Sequence, residues 1–233
     1  MGKYTNSQVK DFLKLIENKK GYLPSAAEVS LLKDYDECDD FTVSNDLVRG
    51  IWKFFKTKFS SLNEITKVQT SITMMHTHAG VGRIIDGCPS DNVSVLAFQD
   101  SYVCKQICDL INDRLSYEFA YKSAVSDISH YFIGGDNKNT PKNDIVFTKP
   151  NSTSTYYKGV DATMVSSLAP ELYYSVRSLD FLTKGGYLCV IAHPRKIDLF
   201  KGDAHLAKKA DFVQLIKCSG ALDQYGCLIF KKK

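Results

Sequence analysis

Met74-Met75-His76-Thr77-His78-Ala79-Gly80-Val81-Gly82-Arg83-Ile84-Ile85-Asp86-Gly87 places a Gly-x-Gly turn directly behind an apolar run. Glycine carries no Cβ and tolerates positive φ, so such a turn lets the backbone approach a ligand closely at the carboxyl end of a strand. Tight strand-to-helix turns use the same pair without a ligand, so the turn alone fixes geometry and leaves chemistry open. Shortly after it, Val93-Ser94-Val95-Leu96-Ala97-Phe98-Gln99-Asp100 offers a second strand with an acid at its carboxyl end, where doubly wound folds hold a ribose.

On either side of this stretch, short apolar runs alternate with helical spacing in the manner of βαβ units. Strands are expected over 68–75, 93–98, 117–121, 144–148, 187–192, 212–218 and 227–231. Helices are expected over 101–115 and 164–183, with Pro170 kinking or starting part of the latter. Only Ser219-Gly220-Ala221-Leu222-Asp223-Gln224-Tyr225-Gly226 separates the last two strands, which predicts a parallel sheet ending in an antiparallel hairpin. The expected fold class is therefore α/β, a Rossmann-like seven-stranded mixed sheet with N-terminal helices.

The N-terminal helices are read from caps and spacing. Val9, Phe12, Leu13 and Ile16 share a helical face that stops at Gly21. Ser25 with Glu28 makes a capping box before Val29, Leu31 and Leu32. The acidic run 34–40 reads as a solvated connection. A third helix starts at Ser44 or Asn45 and buries Leu47, Val48, Ile51, Trp52 and Phe55. The expected organisation is a helical segment over 1–62 packing on a core domain over 63–233.

The chain has 233 residues, 44% hydrophobic and 24% charged, which fits one folded α/β domain and excludes a disordered or collagen-like chain. No apolar run approaches the ~20 residues of a membrane span, and the polar start MGKYTNSQVK lacks a signal-peptide core. A cytoplasmic protein with no membrane partner is the expectation. The seven cysteines contain no C-x-x-C pair, and Cys104 with Cys108 supplies only two soft ligands, so reduced buried thiols and no metal are expected. His76 and His78 read as polar residues at a strand edge, and His130 and His193 as satisfied core histidines.

Charge is uneven. Residues 184–233 carry ten basic side chains against four acids, a balance of +6, which leaves the rest at −2. A polyanion is attracted to such an end, with Lys208, Lys209 and Lys217 as the candidate contacts. A solvated surface with a frayed Lys231-Lys232-Lys233 tail explains the same composition.

Four stretches, in order, resemble the class I S-adenosylmethionine-dependent methyltransferases, and specifically the N6-adenine DNA methyltransferases. Phe41-Thr42-Val43-Ser44-Asn45-Asp46-Leu47-Val48 is similar to the family's leading segment that helps cover the cofactor. Ala79-Gly80-Val81-Gly82-Arg83-Ile84 is similar to the end of its cofactor loop. Asn143-Asp144-Ile145-Val146-Phe147-Thr148-Lys149-Pro150 stands where the family carries its catalytic strand and N-P-P-F motif. Phe181-Leu182-Thr183-Lys184-Gly185-Gly186-Tyr187-Leu188-Cys189-Val190-Ile191 is similar to the turn into its fifth strand. The resemblance spans roughly residues 41–233 and implies Ala79, Gly80, Gly82 and Asp100 as vestigial cofactor contacts.

The departures fall on chemical positions. His76 stands where the resemblance implies the acid of the cofactor loop, and Phe98 where it implies the acid on the ribose hydroxyls. Lys149, Pro150, Asn151 and Ser152 replace the N-P-P-F tetrapeptide. A lysine ammonium donates three hydrogen bonds and accepts none, so it cannot receive the adenine amino group, and Ser152 cannot stack on an extruded base. The expectation is a catalytically degenerate methyltransferase-like protein that binds no cofactor and acts as a binding, accessory or structural component. Its partner would be nucleic acid through the basic C-terminal region, or another protein. Because DNA methyltransferases of this kind are common in viruses and mobile elements, the resemblance also implies a viral or mobile-element origin, with host cytoplasm or virion as the location if viral. The alternative is an active S-adenosylmethionine-dependent enzyme with an altered pocket, in which Asp100 takes the ribose and Asp144 helps hold a different acceptor.

Overall fold

The computed structural model describes residues 43–59, 72–80, 82–86, 88, 93–99, 121–125, 142–149, 168–217 and 225–233. The helices expected before residue 43, the acidic run, the helix over 101–115, His130, and the positions Asp100, Pro150, Asn151 and Ser152 lie outside the described residues.

The described strands are β1 (Ile72–His76), β2 (Val93–Gln99), β3 (Tyr121–Val125), β4 (Asn143–Thr148), β5 (Leu182–Ala192), β6 (Ala210–Lys217) and β7 (Gly226–Lys232). They form one sheet in the order β3-β2-β1-β4-β5-β7-β6. The first five are mutually parallel, and β7 runs antiparallel to both β5 and β6. The chain winds outward from β1 to β3 and then returns beside β1 as β4, which makes the β1/β4 junction the point where strand order reverses. Ligands of open α/β sheets bind outside the carboxyl ends of the strands at such a point. The predicted mixed sheet with its antiparallel end is thus observed.

Helix α1 (Asn45–Lys56) starts where its cap predicts: the Ser44 hydroxyl accepts from the Leu47 N–H at 3.1 Å. Its buried face is Leu47, Val48, Ile51, Trp52, Phe54 and Phe55. Trp52 and Phe55 meet Phe147 of β4, Phe54 and Phe55 meet Tyr187 of β5, and Gly50 faces Ile216 of β6. The helix thus lies across one face of the sheet, rather than only at its ligand-binding end. On the other face, α3 (Pro170–Ser178), α4 (Ile197–Lys201) and α5 (Ala204–Lys209) cover a second core with Leu188, Val190, Leu228 and Phe230; the short α2 (Arg83–Asp86) follows the glycine turn. No helix among the described residues is long and apolar enough to cross a membrane.

Four boundaries differ from expectation. β1 extends to His76, because the polar residue is buried in the sheet rather than at its edge. β3 lies four residues later than the aromatic run at 117–121. Pro170 starts α3 at its first turn, where its missing N–H costs nothing, and the helix tightens into a 3-10 turn at Leu179–Phe181 instead of continuing to 183. β5 begins at Leu182, since Gly185 (φ 77°) and Gly186 form an irregularity within the strand instead of a turn before it.

Candidate functional site

The carboxyl edge of the sheet is built from the loop after β1, the residue after β4, the segment after β5 and the facing ends of β6 and β7. The backbone forms the loop first. Thr77 N–H donates to the Phe147 carbonyl at 2.9 Å, prolonging the β1/β4 pairing, and Ala79 N–H donates to the Phe98 carbonyl at 2.8 Å across β2. Gly80 (φ 53°) and Gly82 (φ 81°) take left-handed conformations, and Gly82 N–H closes the turn on the Ala79 carbonyl at 2.8 Å. The glycines are therefore required by conformation. Helix α1 braces the turn from one side: Trp52 Nε1 donates to the buried Ile84 carbonyl at 2.8 Å, and Arg83 donates to Asn45 Oδ1.

Side chains then fix the electrostatics. His76 is fully buried, its ring stacks on Phe147 with centroids 5.7 Å apart, and neither ring nitrogen has a hydrogen-bond partner among the described residues. Burial first, then electrostatic repulsion from His78 and Lys149, pushes its pKa down to about 3, so the imidazole is neutral at physiological pH. His78 points elsewhere: its Nδ1 is 2.8 Å from the Thr77 hydroxyl and its ring meets Tyr174 edge-on. The two histidines do not share a face, and His76 is not the strand-edge residue expected.

Phe98 is buried in the core on the α3 side, its position in β2 filled by an aromatic ring where the resemblance implies a carboxylate. Lys149 is only 8% exposed, and its Nζ sits 5.0 Å above the Tyr225 ring. His193, half-buried after β5, accepts from Arg195 N–H at 3.3 Å and meets Tyr225 edge-on at 6.0 Å. Gly80, Gly82, His76 and Lys149 are thus gathered at one edge. Tyr225 joins them, and nothing in the sequence singles it out; its one signal is its place immediately before Gly226 in the β6–β7 connection.

Two expected roles do not fit their positions. Asp144 lies at the amino end of β4, where its carboxylate accepts from Thr73 N–H at 2.9 Å and from the Thr73 hydroxyl at 3.0 Å. It ties β4 to β1 on the edge opposite the glycine loop and cannot hold an acceptor there. Lys208 and Lys209 precede β6, whereas Lys217 ends it, so they lie at opposite edges of the sheet, roughly 25 Å apart at the rise of a strand. Lys209 is further engaged by Asp180 at 2.7 Å. The Lys tail is not frayed either: Lys232 Nζ donates to the Leu182 carbonyl and Lys233 Nζ to the Ala207 carbonyl. Cys88, Cys189 and Cys227 are buried and free, and burial, reinforced by Cys227, pushes the Cys189 thiol well up. No group of three metal-ligating side chains occurs among the described residues.

No protein-family model matches the chain, and no curated protein sequence does. Solved structures do. A provisionally assigned class I S-adenosylmethionine-dependent methyltransferase from Listeria monocytogenes superposes with a TM-score of 0.60 at 13% identity, covering 93% of this chain and 70% of its own. A provisionally assigned S-adenosylmethionine-dependent methyltransferase from Streptococcus mutans gives 0.54 at 11%, covering 70% and 45%. One from Escherichia coli, described as a methyltransferase with the same reserve, gives 0.51 at 9%, covering 82% and 87%. Identities this low speak for architecture alone. The chain has a class I S-adenosylmethionine-dependent methyltransferase-like Rossmann fold, and the likeness does not single out the N6-adenine DNA methyltransferases within it.

Proposed function

We propose that this protein keeps the methyltransferase fold as a binding or accessory scaffold and has lost the methyl-transfer chemistry. His76 carries the reading. The end of β1, where the resemblance places an acid of the cofactor loop, holds a neutral, fully buried imidazole packed on Phe147. Phe98 in the core and the Lys149 ammonium beside Tyr225 support it, since an aromatic edge accepts no ribose hydroxyl and a cation opposes a sulfonium. S-adenosylmethionine fits these residues poorly.

Transfer of a labelled methyl group from S-adenosylmethionine to duplex or single-stranded DNA tests this proposal. The expected result is no incorporation, by wild type or by Lys149→Asn, because the stacking ring and the acids are still missing. Turnover by wild type would overturn the proposal.

One observation favours a second reading, an active enzyme with an altered pocket: Gly80 and Gly82 both keep the left-handed geometry of a ligand-approach loop. In that reading Asp100 is the ribose contact, and Asp144 has no part because it lies at the far edge.

A further inference from the structure

A pocket of about 300 Å³ opens on the carboxyl edge where α4 meets the ends of β6 and β7, beyond Tyr225 from the glycine loop. Ile197 and Leu215 give it an apolar floor, and Tyr225 forms one wall. Lys201, Lys217 and Asp198 supply its charges. Neither lysine makes an ion pair among the described residues, in contrast to Lys196, Lys209 and Lys233, each engaged by a carboxylate. Lys201 instead lies over the exposed Phe212 ring at 4.8 Å. The floor also needs Gly226: a Cβ there would stand 3.2 Å from the Ile216 carbonyl and 3.3 Å from Leu215 Cδ1, on the pocket side of the strand.

We infer that this pocket takes one unstacked nucleotide of a single-stranded nucleic acid, the base against Ile197, Leu215 and Tyr225, and the flanking phosphates on Lys201 and Lys217. Single-strand sites combine these parts, a cationic track and an aromatic surface for the base. Asp198 supplies the pocket's acceptor. Its carboxylate accepts from a base amino group or a sugar hydroxyl, and the Tyr225 ring beside the lysines offers a flat base the stacking surface that an acidic peptide does not need. The inference rests on reading the carboxyl edge as a binding surface, and it places the nucleic-acid contacts at Lys201 and Lys217 rather than Lys208 and Lys209.

The test is fluorescence anisotropy of a labelled oligodeoxythymidylate with the full-length protein, between about 50 and 200 mM salt. Wild type should bind, and more tightly than it binds duplex. The double variant Lys201→Gln, Lys217→Gln should reduce the log–log salt slope by about 1.4, two phosphates at about 0.7 each for a single strand. Tyr225→Leu should weaken binding roughly 5- to 100-fold with the slope unchanged. Lys208→Gln should change neither. Because Tyr225 also packs against the sheet, thermal melting accompanies each variant, and the exposed lysine pair carries the test if Tyr225→Leu fails to fold. No binding by wild type would overturn the inference. So would equal losses from Lys208→Gln and from the lysine pair, which mean diffuse charge, or tighter binding of an acidic apolar peptide. Absence of oligonucleotide binding together with absence of S-adenosylmethionine binding would sink this pocket assignment while leaving the scaffold proposal in place with a protein partner.

Discussion

His76 shows how one side chain couples the site to stability. Its pKa falls from 6.5 to about 3 on folding, so the unfolded chain binds a proton in that interval that the folded one refuses. The His76 contribution to stability is therefore complete above about pH 6.5 and is lost as the pH falls toward 3. At pH 5 the loss due to this one group is about 2 kcal/mol relative to pH 7.5, since each pH unit below the unfolded-state pKa costs about 1.4 kcal/mol. Chemical denaturation of wild type and His76→Leu at the two pH values isolates it: the variant should lack that ~2 kcal/mol of acid sensitivity. Equal acid sensitivity in both proteins would mean that His76 is hydrated or bonded in solution. Lys149→Met should raise the His76 titration point by removing a nearby positive charge, an effect read from the imidazole resonances by NMR.

Among the elements, two contacts hold the carboxyl edge in place. The Trp52 indole is one tie between α1 and the segment after β1; Trp52→Phe keeps an aromatic ring but leaves the Ile84 carbonyl without its donor. The expected cost is about 1–3 kcal/mol, read as a lower denaturant midpoint with an unchanged m-value. Gly186 permits β5 to approach β4: a Cβ would stand 3.0 Å from the Asp144 carbonyl and 2.9 Å from Thr183 Oγ1. Gly186→Ala should destabilise by about 1–3 kcal/mol through overpacking, and a neutral result would show that β5 can shift freely there.

The legibility of elements follows from the same physics. α1, β2, β4, β6 and β7 are readable to within one or two residues because cap chemistry or continuous apolar runs mark them. β5 reads five residues short because paired glycines signal a turn locally, and only the neighbouring β4 reveals that they sit inside a strand. The helix before it reads too long because Leu179 and Leu182 keep helical spacing after the backbone has tightened.

Across the whole molecule, the sequence discloses the loop and its substitutions but not the distribution of charge. The cations of residues 184–233 form one statistic in the chain and two groups in the fold. Lys209, Lys232 and Lys233 tie the amino edge together, while Lys201, over Phe212, and Lys217, at the end of β6, line a pocket beside α4. That separation depends on β7 returning between β5 and β6, a tertiary fact with no local signature. For the same reason Tyr225 is invisible as a site residue in the sequence, although it lies between Lys149 and the pocket.

Whether the methyltransferase fold persists here without its cofactor is decided most sharply by isothermal calorimetry of the full-length protein with millimolar S-adenosylmethionine. No saturable heat is expected. With His76 and Phe98 where the resemblance implies two acids, the buried ribose hydroxyls would go unpaired at about 1–3 kcal/mol each, a loss of orders of magnitude in affinity. Saturable binding tighter than about 100 μM, near −5.5 kcal/mol, would refute the loss of the cofactor and establish the glycine loop as a working cofactor site.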